Sequence, residues 1–238
     1  MNLDVYREFI EKNSVLDFAG LIDHTLLRPD ANYKLLEKYI EDMRRYKFKL
    51  LMIPLSLANK VRELAGNTID IGVVVGFPLG NTSTRTKVTE VIEAAENNAI
   101  EVDMVMNINA FKSGDFNYVL HDVKTVVDTA KNLGLRAVKV IIETGLLTDE
   151  EKVKATEIVS QSGADFVKTC TGFLGGVATI HDVRLLKKAS KNRIRVKASG
   201  GIRYAIDAVQ MIINGASRIG TSSGDKIIEE YIKMREER

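Results

Sequence analysis

A chain of 238 residues with 45% hydrophobic residues can bury roughly 70% of its unfolded surface in one domain, so disulfide or metal staples are unnecessary. Its 34 basic and 32 acidic side chains leave a formal charge of +2, which removes the electrostatic case for nucleic acid or an anionic membrane surface as partner. The single cysteine, Cys170, allows no internal bridge, and no long apolar run is present. An N-terminus carrying Asp4, Arg7, Glu8 and Glu11 is too charged for a signal peptide, and a cytoplasmic protein is expected.

In chain order, a leading helix is expected near residues 2–12. Strands are expected at 19–23 (AGLID), 48–53 (FKLLMI), 71–77 (IGVVVGF), 100–107 (IEVDMVMN), 137–143 (AVKVIIE), 164–169 (ADFVKT), 194–198 (IRVKA) and 217–220 (SRIG). Helical patterns fall between them at Lys34 to Tyr46, Thr84 to Asn97, Phe116 to Leu133, Thr148 to Ser162, Thr179 to Ser190 and Ala205 to Asn214, with a last one at Asp225 to Arg235. Thr148 followed by Glu151 forms a capping box, and Gly134, Gly163 and Gly215 stand where helices should stop. With three prolines and no low-complexity tract, residues 1–238 read as a single domain. Eight strands alternating with helices in this length predict a (β/α)8 barrel with an extra N-terminal helix, an open doubly wound sheet being the rival.

Parallel strands covered on both faces should be nearly all apolar, yet these carry Asp23, Asp103, Lys139, Lys168 and Lys197, with Glu143 closing the fifth run. Inside a barrel such charges point to the interior near the C-terminal mouth, and alternation turns Asp103, Val105 and Asn107 inward together. Taken singly, each lysine could be a strand-end ammonium reaching water. Three lysines and two aspartates at one end point instead to an active site built on lysine chemistry.

An amine attacks a carbonyl only when neutral. A second ammonium ~4 Å away at an effective dielectric of ~20 opposes protonation by about 4 kcal/mol, enough to bring a lysine close to neutrality at pH 7. Lys168 and Lys197, on neighbouring strands, could supply this pair: one forms a Schiff base, the other stays charged, and Asp103 completes a proton relay. His24, His121 and His181 show no spacing suited to zinc, and His121 and His181 are expected on helix surfaces, so no metal and no cofactor are expected. Three turns, Thr171-Gly172 with Gly175-Gly176, Ser199-Gly200-Gly201 and Gly220-Thr221-Ser222-Ser223-Gly224, gather at the same end and suit a phosphate.

The segments LIDHTLL (21–27), VGFPLG (75–80), EVDMVMNI (101–108), VKVIIETGLL (138–147), FVKTCTGF (166–173), VKASGGIR (196–203) and IGTSSG (219–224) resemble the deoxyribose-phosphate aldolases in order along nearly the whole chain. The resemblance implies a class I aldolase on a (β/α)8 barrel that joins acetaldehyde to glyceraldehyde 3-phosphate. It implies Lys168 as the Schiff-base residue, Lys197 as its partner and Asp103 as the proton manager. Asp23, Lys139 and Thr171 are implied as supporting residues, and Gly172, Gly200, Gly201, Gly220, Ser222 and Ser223 as the phosphate site. It also implies a homo-oligomer, a dimer or tetramer. Cys170 departs from the serine of many members, and Leu51 and Met52 stand where some carry a cysteine; Cys170 is then the sole thiol open to an unsaturated aldehyde. Alternatives are another imine-forming aldolase or thiolase acting on a phosphorylated keto-sugar, and a barrel that binds a sugar phosphate without turnover.

Overall fold

A computed structural model describes residues 3–236. Eight parallel strands close into a barrel in chain order, β1 (Ile22–Thr25), β2 (Leu50–Ile53), β3 (Ile71–Val75), β4 (Glu101–Val105), β5 (Ala137–Ile141), β6 (Phe166–Lys168), β7 (Arg195–Ser199) and β8 (Arg218–Thr221), with β8 pairing back onto β1. Closure rules out the open doubly wound sheet. The ring of helices comprises α3 (Tyr33–Tyr46), α4 (Ala58–Ala65), α5 (Thr84–Glu96), α6 (Ile108–Lys112), α7 (Phe116–Asn132), α8 (Asp149–Gln161), α9 (Ile180–Ala189), α10 (Ala205–Ile213) and α11 (Gly224–Glu236). Two helices precede the barrel, α1 (Leu3–Lys12) and α2 (Val15–Ala19), packing on α10 and α11 with Phe18 stacked on Tyr231 at 4.1 Å.

Local sequence explains the boundaries. The Thr148 capping box forms, with Oγ1 accepting from the Glu151 N–H at 3.3 Å and Glu151 Oε2 accepting from the Thr148 N–H at 2.8 Å. Three of the anticipated stops, Gly134, Gly163 and Gly215, take positive φ. The first strand differs from expectation: Ser14 and Asp17 make a second capping box that starts α2, so Ala19 ends a helix and β1 begins three residues later. Helix α4 was not anticipated, although Val61 and Ala65 bury one face at helical spacing.

The barrel interior is divided. On β2 and β3 it is apolar, with Leu50, Met52 and Val74 forming a cluster apart from the main core, against Leu27 and Phe77. Gly72 packs closely there: a Cβ would stand 2.7 Å from Met52 Cε and 3.1 Å from the Glu101 carbonyl oxygen. The remaining strands bring charge inward.

A second buried ion pair lies outside the barrel. Lys87 of α5 meets Asp122 of α7 at 2.6 Å with both side chains fully buried, and the Thr84 hydroxyl donates to the other carboxylate oxygen at 2.7 Å. Removing one partner strands a buried charge, so Lys87→Met should cost about 3–5 kcal/mol. The check is the denaturant midpoint; the double variant Lys87→Met with Asp122→Leu should recover most of the loss.

Candidate active site

The predicted charged residues meet inside the barrel. Asp103 is the hub: its Oδ1 accepts from Lys139 Nζ at 2.8 Å, and its Oδ2 accepts from both Lys168 Nζ and Lys197 Nζ at 2.7 Å. Asp23 Oδ2 takes a further bond from Lys197 at 2.5 Å. Strand register explains the convergence, since Lys168 stands beside Lys197 across β6 and β7, and Asp103 beside Lys139 across β4 and β5. Two residues unread in the sequence join the network. Arg218 bonds Asp23 Oδ1 at 2.7 Å, and Glu101 lies 2.7 Å from Lys139 and 3.4 Å from Arg218. Glu101 shares the inward parity of Asp103, which was the available signal.

The electrostatics separate the lysines. Burial pulls Lys139 down, but Asp103, Asp23 and Glu101 outweigh it and hold its ammonium above the ordinary range. Burial likewise opposes ionisation of Asp103, but Lys139, Lys168 and Lys197 keep its carboxyl well below the usual carboxylate range. Lys197 goes the other way, pushed down to about 8 by burial first, with the charges of Lys168 and Lys139 adding to the effect against Asp103 and Asp23. The sequence reading kept Lys197 charged as the source of the depression. In the structure Lys197 is itself depressed, and desolvation is the largest cause.

A cavity of about 230 Å³ opens at the C-terminal ends of β6, β7 and β8, and Lys168 is the residue of the charged network that lines it. Lys168 is 3% exposed, whereas Lys139 and Lys197 are sealed at 0%. Thr171, Gly172, Gly200, Gly201, Gly220 and Ser222 share the lining. Gly220 has a second duty: a Cβ would lie 3.0 Å from both Lys197 Cε and Ser199 Cβ, crowding that lysine. Ser223 lies next to that lining, and its N–H donates to Thr221 Oγ1 at 2.9 Å. Arg28 and Arg203, unread in the sequence, add cationic walls, and Arg28 is tied to Asp30 at 2.5 Å.

A DeoC/LacD family aldolase profile matches residues 21–230. The deoxyribose-phosphate aldolase of Carboxydothermus hydrogenoformans is 49% identical over 216 residues, 90% of this chain and 95% of that one. That of Caldanaerobacter subterraneus subsp. tengcongensis is 46% identical over 225 residues, 94% and 97% of the two chains. The chain belongs to the DeoC/LacD family of aldolases. Among solved structures, the tetrameric deoxyribose phosphate aldolase of Aeropyrum pernix superposes with a TM-score of 0.89 at 32% identity, covering 98% of this chain and 99% of that one.

Several residues of this DeoC/LacD aldolase sit elsewhere than the sequence suggested. Asn107 lies past the end of β4 and caps α6 through its side chain instead of pointing inward. Glu143 falls beyond β5 with φ +55, and its Oε2 accepts from the Thr171 N–H at 2.9 Å and hydroxyl at 2.6 Å, fixing Thr171 at the cavity wall. Cys170 is fully buried against Thr144 and burial pushes its thiol up, so it lacks the access and thiolate character expected of an aldehyde target. His121 and His181 lie exposed on α7 and α9, as anticipated. His181, Asp149 and Asp182 come within 4.8 Å of one another, a grouping across α8 and α9 that spacing did not reveal; the Lys152 ammonium stands 3.1 and 2.7 Å from the two carboxylates.

Proposed function

We propose that this aldolase reversibly cleaves 2-deoxy-D-ribose 5-phosphate to acetaldehyde and D-glyceraldehyde 3-phosphate through a Schiff base on Lys168. The observation that carries the reading is the position of Lys168, the one network lysine facing the cavity, with its Nζ on the Asp103 oxygen that also holds Lys197. Lys197, neutral in part at pH 7 to 8, takes up the proton that Lys168 must lose before attack. The neutral amine adds to the substrate aldehyde, and loss of water leaves a protonated imine that draws electrons from the adjacent carbon. The bond between the second and third carbons breaks as the third-carbon hydroxyl gives up its proton to Asp103 through a water, releasing glyceraldehyde 3-phosphate. The remaining enamine is protonated and hydrolysed to acetaldehyde, which frees Lys168. Gly172, Gly200, Gly201, Gly220 and Ser222, with Arg28 and Arg203, bind the phosphate at the far side of the cavity and fix the sugar's register. Asp23 and Lys139 hold the network that faces the substrate hydroxyls.

We read residues 1–238 as a single aldolase domain working in the cytoplasm as a homo-oligomer, a dimer or tetramer, on small sugar-phosphate and aldehyde substrates. Among the described residues no helix is long and apolar enough to cross a membrane. Treatment with acetaldehyde and borohydride followed by peptide mass mapping tests the chemistry: the reduced adduct should appear on Lys168, and an adduct on Lys139 or Lys197 instead overturns the assignment.

A further inference from the structure

The buried interior holds four basic groups, Lys139, Lys168, Lys197 and Arg218, and three carboxylates, Asp23, Glu101 and Asp103, linked by contacts of 2.5 to 3.8 Å. Fully ionised, the cluster carries one surplus positive charge away from water, which is costly. Loss of one proton brings it to neutrality. A guanidinium does not deprotonate in a protein, so the proton must leave a lysine. Lys139 touches Asp103, Glu101 and, at 3.8 Å, Asp23, and is the best-compensated of the three. The deficit therefore falls on the pair Lys168 and Lys197.

Arg218 is placed to enforce this. Register sets Lys197 between Lys168 on β6 and Arg218 on β8, three cations in a row, and Arg218 occupies one oxygen of Asp23 while Lys197 has the other. Glu101 lies under the same guanidinium and under Lys139. The other strands add little to the count: β2 and β3 present Leu50, Met52 and Val74, and Arg195 on β7 is solvent-exposed over Phe166 at 4.0 Å. Neither Arg218 nor Glu101 lines the cavity.

Resting on the Schiff-base reading above and deepening it, we propose that Arg218 and Glu101 are positioning residues that set the proton count of the Lys168–Lys197 pair. Arg218 is the permanent cation that drives one proton off the pair, and Glu101 limits the surplus to one charge. Opposite consequences follow for the two groups. In Arg218→Met three lysines face three carboxylates, so all three stay protonated at neutral pH. In Glu101→Gln four cations face two carboxylates, and the pair gives up its proton more readily.

The test is the pH dependence of the rate of borohydride trapping by acetaldehyde, with kcat/KM measured alongside. Arg218→Met should trap about tenfold more slowly than wild type at pH 7 and recover as pH rises, the shift of one pKa in its acid limb. Glu101→Gln should move that limb to lower pH, by a similar factor in proton concentration. A purely structural role would lower the rate equally at every pH. The proposal is overturned if the limbs of both variants coincide with wild type or move in the same direction. Should Arg218→Met fail to fold, an unshifted limb in the isosteric Glu101→Gln overturns it alone. Absence of any Lys168 adduct in the wild type would instead bring down the Schiff-base reading, so the two failures are distinct.

Discussion

Replacing Asp103 by asparagine should slow aldol cleavage by about 10²- to 10⁴-fold, the range for a lost general acid–base group, while leaving borohydride trapping at Lys168 measurable. The split follows from where the carboxylate sits. Asp103 is sealed behind Lys168 with both oxygens on lysine ammonium groups, so it moves protons but does not bond to the substrate carbon. Losing its charge leaves Asp23 and Glu101 against four cations, which favours a neutral amine and permits imine formation. What is lost is the acceptor for the third-carbon hydroxyl proton and its return to the enamine. The trapped adduct should accumulate while glyceraldehyde 3-phosphate release collapses, as read by coupled assay and mass spectrometry on the same sample. A variant that turns over at the wild-type rate would remove Asp103 from the proton path. Failure of trapping together with turnover, in a folded protein, would make Asp103 a holder of Lys168 geometry alone.

The barrel was legible because short apolar and β-branched runs alternate with amphipathic helices, α4 after β2 being the exception, a local pattern that needs no knowledge of tertiary contacts. The charged residues stood out for the complementary reason, as violations of that pattern at Asp23, Asp103, Lys139, Lys168 and Lys197. Glu101 and Arg218 violate it too, but they open their strands, where a charge reads as an ordinary strand end facing water. Parity with Asp103 was the one signal for Glu101, and Arg218 shows its inward face only where β7–β8 pairing sets it beside Lys197. Strand ends were misread for a related cause: Asn107 and Glu143 continue the alternation on paper, while in the fold the chain has already left the sheet to cap a helix and to hold Thr171. The Lys87–Asp122 pair was out of reach altogether, since a buried lysine on α5 differs from a solvated one only by a partner on a different helix, 35 residues away.

The second large effect belongs to Lys197→Leu. Three cations, Lys139, Lys168 and Arg218, then face three carboxylates, and Lys168 gains undivided use of Asp103 Oδ2. Both changes stabilise the Lys168 ammonium, so the sign is fixed: attack by its neutral amine becomes harder at neutral pH. The rate of imine formation should drop about tenfold or more at pH 7 and climb as pH increases, one decade for each unit by which the acid limb moves. The comparison variant Lys197→Arg keeps the positive charge but cannot accept a proton. If charge alone activates Lys168, the arginine variant should trap acetaldehyde close to the wild-type rate. If Lys197 must receive the proton that Lys168 releases, as its own depression to about 8 implies, the arginine variant should be as slow as the leucine one at neutral pH. A leucine variant whose profile matches wild type would exclude both roles and leave desolvation of Lys168 by the barrel wall as the activating force.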